Sequence, residues 1–107
     1  MIILAVSLSD AVIFSLEVSL METRVAVMAI IISCPDSVER LNSLLHEYSS
    51  YIIGRMGIPY REKKINVMSV AVDAPQDVIA SLSGKIGKLS GISVKTAYSG
   101  VITNENC

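Results

Sequence analysis

The chain has 107 residues, 51% of them hydrophobic but only 5% aromatic, and no tryptophan. That leaves room for one domain with a modest core. The Ile, Val, Leu, Ala and Met that dominate it suit strands and short helices packed in layers. Nine Lys and Arg stand against ten Asp and Glu, so the basic excess expected of a direct nucleic-acid binder is missing.

Residues 1–20 are apolar but contain no Lys or Arg to make a signal-peptide n-region. Asp10 and Glu17 interrupt them, so no uncharged run approaches the roughly 20 residues of a membrane-spanning helix. Two readings stand: a turn at Ser9-Asp10 between short strands, or Met21 as the native start. The second is favoured, because a well-patterned strand begins just after Met21. The expected organisation is therefore an apolar extension (1–20), one domain (21–98) and a polar tail (99–107).

From Arg24 to Ser33 the chain is β-branched and aliphatic and reads as a strand apolar on both faces. Val25, Val27, Ala29 and Ile31 lie on one face, and Ala26, Met28, Ile30 and Ile32 on the other. After the break at Cys34-Pro35, Asp36 is placed to cap a helix, with Glu39 completing a capping box. Val38, Leu41, Leu45, Tyr48 and Ile52 follow at helical spacing, and Gly54 is the expected stop. Gly54 to Glu62, with two glycines and Pro59, suits an edge strand. Arg61-Glu62-Lys63-Lys64 carries an acid among its bases and reads as a solvated loop. Ile65 to Val72 is a second strand apolar on both faces. Pro75 is expected at the first position of a second helix, marked by Ile79, Leu82, Ile86 and Leu89 and ended by Gly91. Ile92 to Tyr98 alternates as a last strand.

This order predicts an α+β fold: a ferredoxin-like βαββαβ two-layer sandwich, an antiparallel sheet with both helices on one face. The first and third strands would be central, which suits their apolar character on both sides. The second and fourth would be edges, where Pro59, Ser93 and Lys95 are tolerated. Helices cover only one face of such a sheet, so the apolar residues on its other face predict either a second copy or residues 1–20 packed against it.

Chemistry-bearing groups are sparse. Cys34-Pro35-Asp36-Ser37 sits at the entry to the first helix, where an anion or carboxylate could be held and a thiolate favoured. Ala80, Gly84 and Gly87 form a smooth strip on the second helix, read first as a packing surface and second as a place where a small ligand reaches the backbone. His46, the sole histidine, lies off the apolar stripe, and one internal Cys with one His cannot close a zinc site. Cys34 and Cys107 form no C-x-x-C pair, which points to a reducing, cytoplasmic compartment. Acylphosphatases of this topology need an arginine in the loop after the first strand, and here that loop has none. No nucleophile–base pair, paired carboxylates or glycine-rich phosphate loop appears either. The reading is a non-enzyme that needs no cofactor and no metal.

Two segments, Tyr51-Ile52-Ile53-Gly54-Arg55-Met56-Gly57-Ile58-Pro59-Tyr60-Arg61-Glu62 and Leu82-Ser83-Gly84-Lys85-Ile86-Gly87-Lys88-Leu89-Ser90-Gly91-Ile92-Ser93-Val94-Lys95, resemble the bacterial iron-only hydrogenase system regulator family. The likeness runs from about Glu22 to Ala97. It implies an ACT-like domain, similar also to the C-terminal domain of the nickel-responsive repressor. Such domains form dimers or tetramers and bind amino acids or metals at subunit interfaces. The chain departs from these relatives in three ways. Residues 1–20 are too short and too acidic to be a ribbon-helix-helix DNA-binding domain, His46 and Cys34 are too few for a nickel site, and Cys34-Pro35-Asp36-Ser37 replaces the glycine of amino-acid-binding ACT loops. The expectation is a regulatory homo-oligomer with a small-molecule ligand and a protein partner, without direct nucleic-acid or membrane binding. Candidate ligand contacts are Cys34, Asp36, Ser37, Arg55, Arg61, Gly84 and Gly87. The alternative is an oligomerisation or scaffold protein with no ligand.

Overall fold

The computed structural model describes residues 22–99; the extension 1–20 and all of the polar tail after Ser99 lie outside them. Four strands form one sheet: β1 (Arg24–Ile32), β2 (Ile52–Tyr60), β3 (Ile65–Ala74) and β4 (Ile92–Tyr98). They are ordered β2-β3-β1-β4, and every neighbouring pair is antiparallel. Helices α1 (Val38–Glu47) and α2 (Gln76–Gly87) connect β1 to β2 and β3 to β4. This is the expected α+β, ferredoxin-like arrangement, with the two strands apolar on both faces at its centre.

Register decides which residues share a face. Met28 pairs with Val70 and Thr96, so even-numbered residues of these three strands face the helices. Ala26, Met28, Ile30, Ile32, Val70, Val72, Ala74 and Ile92 from the sheet meet Leu41, Leu45, Ile79, Leu82 and Ile86 from the helices in one core. Fully burying one such Leu or Ile contributes about 1.5–3 kcal/mol. At one end of the sheet, Arg24 binds Gln76 Oε1 (2.7 Å) and the Ser99 carbonyl (2.8 Å) and lies 4.6 Å from the centre of the Tyr98 ring.

Three local expectations are corrected. Asp36 does not cap α1: it lies in a 3-10 turn, Pro35–Ser37, that leads into the helix. The residue before α1 is Ser37, whose hydroxyl donates instead to the Ser90 carbonyl (2.7 Å). With neither side chain turned onto the helix, the Asp36–Glu39 capping box does not form. Gly54 does not stop α1. The helix ends at Glu47, and a 3-10 turn at Ser49–Tyr51 follows. Ser49 and Ser50 compete with helical bonding, and the β-branched pair Ile52-Ile53 then takes the chain extended. Gly54 pairs with Ala71 inside β2, beside a bulge at Ile53. Pro75, finally, is the residue before α2, not its first: its carbonyl accepts from the N–H groups of Val78 and Ile79.

The loops after β1 and after α2 are clamped together. The Gly91 carbonyl accepts from both the Ser33 N–H (2.7 Å) and the Ser33 hydroxyl (2.9 Å). Gly91 has φ +69°, and a Cβ there would lie 2.4 Å from Cys34 Cβ and 2.9 Å from Cys34 N. Only glycine satisfies both the left-handed backbone and the close approach. The β2–β3 hairpin turns through Arg61–Lys63 and then Lys64, which has φ 57°. All four residues of the expected solvated run are exposed there.

Candidate functional site

Two surfaces stand out, one on each side of the sheet. On the side away from the helices the same register gathers Val25, Val27 and Ile31 of β1, Met56, Ile58 and Tyr60 of β2, and Val67 of β3. Each of these side chains is 36–62% exposed. Together they present on the order of 600 Å² of apolar side chain, the upper end of what monomers leave bare. Ala29, Ala71 and Ala97 fill the space between them, and Lys95 and Asp73 stand near the margins.

The helical layer carries polar concavities. Because the helices run in opposite directions, the start of α1 lies beside the end of α2. Between them is a groove of about 540 Å³, lined by Glu39, Arg40 and Leu44 of α1 and by Lys85, Lys88 and Leu89 at the end of α2. Arg40, Lys88 and Leu89 also border a smaller concavity, about 370 Å³, which reaches Cys34, Asp36 and Ser37. Lys85 is held in place: its ammonium donates to the Tyr48 hydroxyl (2.9 Å), which lies 3.3 Å from Ser81 Oγ. The donated hydrogen bond from Lys85 favours the phenolate, so the Tyr48 pKa is lowered; the same bond favours the ammonium and raises that of Lys85. A third concavity, about 380 Å³, lies between α1 and β2 beside His46. There Arg55 Nη2 donates to Asn42 Oδ1 (3.2 Å).

The candidate contacts are therefore dispersed. Cys34, Asp36 and Ser37 share one concavity, while Arg55 belongs to another on the far side of α1. Arg61 lies on the β2–β3 hairpin, two strands from β1. Gly84 and Gly87 are exposed on α2, Gly84 toward open space and Gly87 beside Val94 of β4. Among the described residues Gly84 has no packing partner: an added Cβ would meet nothing within 4 Å, and one at Gly87 would make an ordinary 3.5 Å contact with Val94. The cations of the interhelical groove were not singled out from sequence. Lys85 and Lys88, one helical turn apart, are a visible pair, but only the antiparallel placement of the helices adds Arg40. Among the described residues no three His, Cys, Asp or Glu side chains converge on a metal-sized space, and no helix is long and apolar enough to cross a membrane.

Comparison with known proteins gives a family and a fold. Residues 24–96 match the TM1266-like family model, described as "Iron-only hydrogenase system regulator, putative". The solved structure of the uncharacterized protein TM1266 from Thermotoga maritima is similar at 33% identity, with TM-score 0.70 over 72% of this chain and 98% of that one. Two more distant likenesses concern the fold alone. A formyltetrahydrofolate deformylase from Pseudomonas putida KT2440 is 13% identical, with TM-score 0.51 over 68% of this chain and 28% of that one. An unknown protein from Galdieria sulphuraria is 15% identical, with TM-score 0.53 over 77% and 48%. No curated protein matches the chain.

Proposed function

The chain belongs to the TM1266-like family of iron-only hydrogenase system regulators, and from that premise we propose that it is a homo-oligomeric regulatory module that works by binding and not by catalysis. In this reading two copies close over each other's bare sheet face, a small ligand sits where copies meet, and a protein partner carries the signal onward. The observation behind it is the apolar outer face, with seven large side chains 36–62% exposed on three strands. A stable interface needs about 800 Å² from each partner, and this face with its margins is of that order. The face is not a random scatter of apolar residues: Val27 pairs with Ala71, and Ile31 with Val67 and, through it, Ile58. Strands that are apolar on both faces are the pattern of a sheet covered on both sides.

Light scattering on the full chain tests assembly. A dimer or tetramer that dissociates when Val27 and Ile58 are both changed to Lys supports the reading. A monomer at micromolar concentration refutes it, and transfers the covering role to residues 1–20. A thermal-shift screen with amino acids, nucleotides and divalent metals then separates a ligand-responsive module from a ligand-free scaffold, since selective stabilisation requires binding to the native state.

A further inference from the structure

We propose that the groove between α1 and α2 is a binding site for a small organic anion, with a carboxylate or phosphate held by Arg40 and Lys88 and an apolar body resting on Leu44 and Leu89. The site lies on the opposite layer from the bare sheet face, so two copies closing over those faces leave it open.

Five observations converge on it. The groove, about 540 Å³, falls within the roughly 300–1,000 Å³ range of small-molecule sites. Three of its lining side chains are cations supplied by two helices, against the single carboxylate of Glu39, although the chain as a whole carries a net charge of −1. Like charges gathered on neighbouring turns repel one another, and an anion between them removes that cost. Arg40 and Lys88 are shared with the adjoining concavity at Cys34, which places them at the junction of the two spaces, within reach of a ligand in either. The planar guanidinium of Arg40 suits two-point recognition of a carboxylate or phosphate, while Lys88 acts as a point charge. Lys85 adds a third charge whose position is already fixed by Tyr48, itself hydrogen-bonded toward Ser81, so less order has to be imposed when a ligand arrives. Half-buried Leu44 and Leu89 supply the apolar floor. With Glu39 in its lining and Asp36 in the adjoining concavity, the groove favours a compact anion over a long polyanion such as a nucleic acid.

Calorimetric titration of the full chain with phenyl phosphate, benzoate, inorganic phosphate and neutral benzyl alcohol tests the proposal. The expected result is saturable binding of phenyl phosphate or benzoate, weaker binding of inorganic phosphate, and none of benzyl alcohol. The double variant Arg40→Ala/Lys88→Ala should weaken the aryl anion at least about tenfold, through lost charge-assisted hydrogen bonds. Both residues are exposed, so its circular dichroism and melting temperature should match the parent and show that the fold is intact. Lys95→Ala, which removes a cation from the outer sheet face, should leave the affinity unchanged. The proposal is overturned if no anion binds at about 10 mM, if Arg40→Ala/Lys88→Ala binds as the parent does, or if Lys95→Ala weakens binding equally. Capture of a Glu-rich peptide without any of the small anions would likewise overturn it.

Discussion

Replacing Gly91 with Ala should be among the most damaging single-methyl changes available in this chain. Gly91 sits at φ +69°, where a Cβ costs about 1–2 kcal/mol on backbone grounds. Its neighbours make matters worse. The new Cβ would lie 2.4 Å from Cys34 Cβ, 2.9 Å from Cys34 N and 3.2 Å from Cys34 Cα, against a comfortable carbon–carbon separation of about 3.5–4.0 Å. No rotamer change relieves contact with Cβ, N and Cα, so the two loops must separate. Separation threatens the two hydrogen bonds from Ser33 to the Gly91 carbonyl and the one from Ser37 to the Ser90 carbonyl. At about 0.5–1.5 kcal/mol each, losing two of them adds about 1–3 kcal/mol. The total is about 2–5 kcal/mol. For a domain of this size each kcal/mol moves Tm by about 4–8 °C, so a drop of at least about 8 °C is expected in a reversible thermal melt. A Gly91→Ala protein within about 1 kcal/mol of the parent in a urea titration would refute the account of the clamped loops.

Gly84 should respond in the opposite direction. Its side faces open space in the middle of α2, so Gly84→Ala should stabilise the protein by up to about 1 kcal/mol; a measured loss would mean that something approaches this flank of the helix closely. The Tyr48–Lys85 pair makes a spectroscopic prediction. Lys85 donates to the phenolic oxygen and stabilises its ionised form, so Tyr48 should ionise at lower pH than an ordinary phenol. Lys85→Met should move that step back up in a tyrosinate absorbance titration, with Tyr48→Phe identifying which step it is. An unchanged titration would show that the Lys85–Tyr48 contact is not maintained in solution.

Much of the fold was legible because different physical signals agreed. Ala26 to Ile32 and Val67 to Val72 are apolar at odd and even positions alike, as central strands require, whereas Pro59, Ser93 and Lys95 mark strands that need not be buried on both sides. What misled were residues whose local signal was strong and whose tertiary partner was unseen. Asp36 read as a cap, yet the residue before α1 is Ser37, and the Ser90 carbonyl draws its hydroxyl across to the other loop. Gly54 read as a helix stop, yet two serines had already ended the helix and the glycine entered a bulged strand. Gly84 suggested a close neighbour, and among the described residues nothing lies within 4 Å of a Cβ placed there. The candidate site was the least legible, because Arg40 and Lys88 are 48 residues apart in number and come together only through the antiparallel helix pair.

The bulged β2 edge also bears on how copies of this chain can join. An open strand edge is a template for adding further strands without limit. Here the extra residue at Ile53 breaks the β2 ladder, Pro59 has no N–H to offer, and Gly54 and Gly57 weaken the strand as a template. A ribbon growing through β2 would have to be built on interrupted hydrogen bonding. Contact through the flat of the sheet has no such obstacle, and it is consumed once two faces meet. On the β2 side the sheet therefore resists open-ended growth, and the face-to-face pairing proposed above would end at two copies.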